Sequence, residues 1–265
     1  MENSTQAPVS NEEDSALVVN AQQMIEMAVQ YLAQGKFKDT DTLCNKLIAW
    51  REDHGQAWFF KALVAHAEAR YQDALDCLDK ASSATESVVP RLLMQGRCRA
   101  ALGNLQGALE SFRHALDFQP DNAEAYYWVG LTLKELGDYV ESRSFLRRAT
   151  LLDPNLGPAW YELGNVSMLS EKFDEAVRAL KKAAELIPNA PEIPNNMALA
   201  LCELEQVDEA EAAFREAIRL DDRYAEAMIN LSLLLSKQGK NIEAAEMRAQ
   251  AITIRPEYAN ISMVA

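Results

Sequence analysis

The sequence lacks any run of 18 apolar residues, and its start shows no basic stretch followed by an apolar one. It therefore predicts neither a membrane span nor a signal peptide, and a reducing, cytoplasmic setting follows as the default. Basic residues are in deficit, 26 against 40 acidic ones, for a formal charge of −14. That balance argues against a nucleic-acid backbone as the principal ligand. Basic or apolar partners fit it better, and an acidic surface that merely keeps the chain dispersed fits it equally well. Cysteine and histidine are sparse and scattered. Cys44, Cys77, Cys98 and Cys202 form no CxxC pair, and His54, His66 and His114 lie far apart, so neither a metal centre nor a disulfide framework is expected. The cysteines read as small core residues, Cys202 being the one whose position faces outward. No GxGxxG, P-loop or HExxH string occurs, so the sequence predicts no catalytic residue and no cofactor.

What the sequence has is a period. Pro120, Pro154, Pro188 and Pro256 are spaced by 34 residues or a multiple of it, with Asp222 in the vacant slot. Taking these as position 32 gives seven copies, 21–54, 55–88, 89–122, 123–156, 157–190, 191–224 and 225–258. Position 8 then holds Ala28, Ala62, Gly96, Gly130, Gly164, Ala198 and Ser232, and position 27 holds alanine in every copy but the first, which has Leu47. Position 24 supplies bulk in Leu78, Phe112, Leu146, Leu180 and Phe214. Small residues facing large ones are what two closely packed helices require, and a fixed period in this range marks stacked repeats.

This pattern resembles the tetratricopeptide repeat family over residues 21–258. The resemblance implies an all-α, right-handed α-solenoid of seven helix-turn-helix repeats. It implies little about a specific role, because the family is a general scaffold.

Within each copy the pattern predicts helix A over positions 2–14 and helix B over 18–31. Gly35, Gly103, Gly137 and Gly239 end helix A at position 15. Asp121, Asn155 and Asn189, which follow the prolines, are expected to cap the next helix A. Residues 1–20 read as an acidic tail, disordered to about Asp14, with a short cap at 16–20. Copies two and three depart from the frame. Lys61 and Gln95 at position 7 and Arg99 at position 11 replace apolar residues, and the Ser-rich link 81–87 lacks proline, which makes that joint the expected compliant one. Residues 259–265 start an eighth helix A and then stop. Two outcomes are open there: the tail docks on the last helix, or that end associates with another chain, a second copy in a two-fold homodimer among the options.

At about 100° per residue, positions 4, 7, 8 and 11 of helix A form its core face, and positions 2, 5, 6, 9, 12 and 13 cluster on another. In the resembling family the second face lines the concave groove in which partner peptides or helices bind. Here it carries Phe59, Phe60, Leu63, Leu93, Met94, Tyr127, Trp128, Leu131 and Tyr161, then the amides Asn165, Asn195, Asn196 and Asn230. Aromatics suit interface anchors, and an amide both donates and accepts. The amides resemble the asparagine ladder in the superhelical arm of O-linked N-acetylglucosamine transferase, although Glu162 interrupts it. The scattered Arg97, Lys134 and Lys237 do not form the carboxylate clamp of the family's chaperone-tail binders. The expected function is non-catalytic binding of a protein segment in the groove. The alternatives are a substrate-presenting arm of a glycosyltransferase-like system whose catalytic part lies on another chain, and a self-assembling scaffold.

Overall fold

The computed structural model describes residues 11–81 and 88–260, and is all-α among them. Fourteen helices follow one another in the described residues, two to a repeat. The chain divides into two compact units, one ending at Pro120 and one starting at Asp121, and the division falls on a repeat boundary.

The first unit holds α1 (Asn11–Ala33), α2 (Phe37–Trp50), α3 (Gly55–Ala67), α4 (Tyr71–Lys80), α5 (Val88–Ala101) and α6 (Leu105–Phe118). Helix pairs α1/α2, α3/α4 and α5/α6 are hairpins, and α2 packs on α3 and α4 on α5. The second unit repeats this with α7 (Ala123–Glu135), α8 (Tyr139–Leu152), α9 (Gly157–Leu169), α10 (Phe173–Leu186), α11 (Glu192–Glu203), α12 (Val207–Leu220), α13 (Ala225–Lys237) and α14 (Asn241–Ile254), closed by a 3-10 turn at Pro256–Asn260. In that unit α9 also touches α7 and α11, so the first helices of successive repeats lie side by side.

Position 8 against position 24 is the contact that sets each hairpin. A Cβ on Gly96 would sit 2.4 Å from the Phe112 ring, on Gly130 2.6 Å from Leu146, and on Gly164 2.5 Å from Leu180. Phe112, Leu146, Leu180 and Phe214 are almost wholly buried. The turn between the helices also repeats its geometry. Gly35, Gly103, Gly137 and Gly239 have φ between +68° and +85°, and the remaining copies place Ala69, Glu171 and Glu205 in the same left-handed region, at +57°, +56° and +57°. The backbone therefore demands that conformation whichever residue occupies the position.

Two expectations about helix ends are corrected. First, α1 starts at Asn11, so residues 11–20 belong to one long helix rather than to a tail followed by a separate cap. Second, the capping residue of helix A lies at position 34, one later than expected. The Asn122 side chain accepts from the Ala125 N–H at 2.7 Å, and His54 Nδ1 accepts from the Ala57 N–H at 3.3 Å. Asp121 does not cap α7, and α9 and α11, preceded by Asn155 and Asn189, have no side-chain cap. Burial lowers the His54 pKa, which suits a neutral ring with a free lone pair at Nδ1. A further tie was not foreseen: the indoles of Trp58 and Trp160, both at position 4, donate to the Glu52 and Pro154 carbonyls at 2.8 and 2.9 Å. Each pins a helix A to the position-32 carbonyl that ends the preceding repeat. Of the link expected to be compliant (81–87), residues 82–87 lie outside the described residues, as do residues 261–265.

Candidate functional site

The residues predicted for one continuous face divide between the units. In the first unit Phe60 is 7% exposed and packs with Ala28, Leu43 and Cys44, between the first two hairpins. Phe59 and Leu63 are half-buried against the same cluster and the next one. A ring that fills the core cannot anchor a partner, so Phe60 leaves the candidate site. Leu93 and Met94 are buried likewise.

In the second unit the face is built by α7, α9, α11 and α13. Tyr127 and Trp128 of α7 meet edge to face, their ring centroids 5.1 Å apart. Tyr127 is half-buried against the Leu146–Leu163 cluster, and its hydroxyl is pushed up to about 12 by burial and then by the Glu162 carboxylate. Trp128 donates from its indole to Glu124 at 3.1 Å. Leu131 is half-buried on the same helix. Glu162, which breaks the run of amides, is answered by Lys134 Nζ at 2.6 Å, an ion pair whose side chains are 14% and 25% exposed. The face is thereby neutral at this point.

Beyond that pair the amides bond one another. Asn230 Nδ2 donates to Asn195 Oδ1 at 3.0 Å, Asn195 Nδ2 to Asn196 Oδ1 at 3.2 Å, and Asn196 Nδ2 to Asn165 Oδ1 at 3.0 Å. Asn196 Nδ2 also reaches the Tyr161 hydroxyl at 3.4 Å. Asn195 is 4% exposed, so it links its neighbours from beneath rather than facing a ligand. The sequence placed these side chains on one face; that they form a directed chain across three repeats was not legible, because amides at positions 5, 6 and 9 meet only when neighbouring helices are in place. Each amide carries two donors and two lone pairs, so the half-buried Asn165, Asn196 and Asn230 retain capacity for a backbone laid over them.

The chain of amides leads into a cavity of about 520 Å³. Leu199 and Cys202 of α11, Leu233 and Lys237 of α13, and Phe214 of α12 line it, with Asn230 where it meets the amides. Gln238 Oε1, in its wall, is buried with no hydrogen-bond partner. Of these residues the sequence reading singled out only Asn230 for the groove, since the cavity needs the position-24 ring of Phe214 between two first helices. Burial raises the Cys202 thiol above its usual value, so it lines the cavity as an uncharged group. Burial likewise pushes Cys44 up to about 12 and Cys98 to about 11. Among the described residues no three His, Cys, Asp or Glu gather as metal ligands, and no helix is long and apolar enough to cross a membrane.

Comparison with known proteins places these features. Family models described as TPR repeat and Tetratricopeptide repeat match residues 96–137, 123–156, 157–190 and 195–259. The BBSome complex member bbs-4 of Caenorhabditis elegans is 24% identical over 132 residues, 48% of this chain and 29% of that protein. The human protein O-mannosyl-transferase TMTC1 is 27% identical over 149 residues, 54% of this chain and 17% of that protein. The chain thus spans under a third of the length of either relative. Among solved structures, YrrB, a TPR protein with an unusual peptide-binding site, aligns at a TM-score of 0.59 and 25% identity, covering 64% of this chain and 87% of that one. Repeat period, hairpin packing and matched family models agree: the chain belongs to the tetratricopeptide repeat family.

Proposed function

We propose that this chain is a non-catalytic protein-binding module whose second unit holds a segment of a partner across α9, α11 and α13. The observation that carries the reading is the amide chain leading, at Asn230, into the cavity that Leu199, Phe214 and Leu233 line. Amides bond a peptide backbone without regard to its sequence, and the cavity receives one large apolar side chain that fixes the register. Tyr127, Trp128 and Leu131 extend the contact along α7. YrrB, whose peptide-binding site is named, shares the repeat architecture and supports the reading. The test is selection of binding peptides by the full chain, followed by affinity measurement on Leu233→Asp and Asn196→Ala. Loss of about 2 kcal/mol or more for Leu233→Asp, with helicity retained, is the expected result. Equal affinity for wild type and both variants places the segment elsewhere.

The alternative in which the chain presents substrates to a separate catalytic chain draws on the partial likeness to TMTC1. Co-purification of a sugar-transfer enzyme from the native source distinguishes it, because a simple adaptor does not require one.

A further inference from the structure

Two of the polar residues that break the repeat pattern in the first unit, Gln95 and Arg99, line a cleft separate from the face described above. In α5 the departures Gln95 and Arg99 share one helix side with Arg91, at intervals of four residues, and the helix carries Arg97 as well but no acidic residue. In a chain of net charge −14 this is a local excess of positive charge. With Ser111 and His114 of α6, Arg91, Gln95 and Arg99 line a cleft of about 310 Å³, and Glu110 is the one carboxylate among its described lining residues.

The cleft is held in shape from two sides. Gln95, 7% exposed, donates to Asp79 Oδ1 of α4 at 3.3 Å. Arg99 Nη1 donates to Ser111 Oγ at 2.5 Å and to the Gly107 carbonyl at 3.3 Å, and Ser111 Oγ in turn donates to that carbonyl at 2.8 Å. Arg91 differs. Its Nε is buried yet has no hydrogen-bond partner. Buried donors are nearly always satisfied by protein, ordered water or an ion, so this one calls for an explanation, and Arg91 lines the cleft. A guanidinium offers a planar fork that matches the paired oxygens of a carboxylate or phosphate. The volume lies at the lower end of the roughly 300–1,000 Å³ typical of small-molecule pockets.

We propose that the α5–α6 cleft binds a small oxyanion, a phosphate monoester or a carboxylate, through Arg91. Arg99 is held by Ser111 as the second positive charge, and Gln95 fixes the wall between them. The ligand is a small molecule, because the cleft lies between the helices of one hairpin and not along the face that receives a partner segment.

The experiment titrates the full chain with inorganic phosphate, phenyl phosphate and benzoate at fixed ionic strength in chloride, by calorimetry. Saturable binding of at least one is expected, and the preference between phenyl phosphate and benzoate names the oxyanion. Arg91→Gln should weaken it about tenfold or more, whereas Arg219→Gln, which removes a surface charge in the second unit, should leave it unchanged. Should Arg91→Gln fail to fold, Arg91→Lys keeps the charge without the fork and should still lose about fivefold or more. No saturable binding of any of the three overturns the proposal. So does an equal loss in the Arg91 and Arg219 variants, which would reduce the effect to overall charge.

Discussion

At the scale of single residues, Asn195 is the hinge of the amide chain, since it accepts from Asn230 and donates to Asn196 while itself nearly buried. Asn195→Ala should cost about 1–3 kcal/mol, because it strands two half-buried partners as well as removing its own buried bonds. Asn196→Ala, at a half-exposed position, should cost about 0.5–1.5 kcal/mol. The double variant should fall short of the sum, as members of one network do; urea denaturation of the three variants checks this. Burial also sets an alkaline limit. Cys44 and Tyr127 are pushed up to about 12 and Cys98 to about 11, so the folded chain keeps protons that the unfolded chain gives up from about pH 9 for the thiols and 10 for the phenols. Their stabilising contribution is complete below those values and lost as pH rises through the folded pKa. Denaturation midpoints should therefore fall between pH 8.5 and about 11, and Cys44→Ser should flatten the decline. A midpoint that holds level across that window would show that these groups are solvated in the folded chain.

At the scale of helices and turns, the hairpin contact and the left-handed turn carry the fold. Gly130→Leu forces a side chain against Leu146, where even a Cβ would sit at 2.6 Å, and should cost about 1–3 kcal/mol; Ala149→Phe, at a fully buried position 27, should do likewise. Glu171 adopts at φ +56° the conformation that glycine supplies in four other repeats. Glu171→Gly should raise stability by a few tenths to about 1 kcal/mol, the relief of a left-handed side chain exceeding glycine's added freedom when unfolded, and Gly137→Ala should lower it. These elements were legible in the sequence because each signal recurs in at least four of the seven copies: one proline or one alanine means little, but the same residue type at the same interval fixes helix, turn and core together. In the second unit helix bounds came within a residue for the same reason, α7 running Ala123–Glu135 where 124–136 was expected. The caps were misread by one residue because an Asn or Asp beside a proline looks alike at positions 33 and 34, and only the backbone decides which side chain turns inward. The N-terminal extension of α1 has no counterpart in the repeat and so no period to reveal it.

At the scale of the molecule, the candidate site belongs to one unit rather than to the whole inner face. The sequence marked residues for binding by angle around a helix, and angle alone does not separate a side chain that faces a neighbouring helix from one that faces a partner. Phe60 fell on the wrong side of that distinction and Asn195 beneath the surface, while the cavity beside Asn230 depends on Phe214 from another helix. The anomalies at Gln95 and Arg99 were visible as breaks in the pattern, but that they line one cleft with Arg91 required the hairpin. The most direct measurement of the central claim is hydrogen exchange on the full chain with and without a selected binding peptide. Slowed exchange concentrated in α9, α11 and α13, and abolished by Leu233→Asp, is the expected result. Protection confined to the first unit, or unchanged in the Leu233→Asp chain, would contradict the assignment of the binding face.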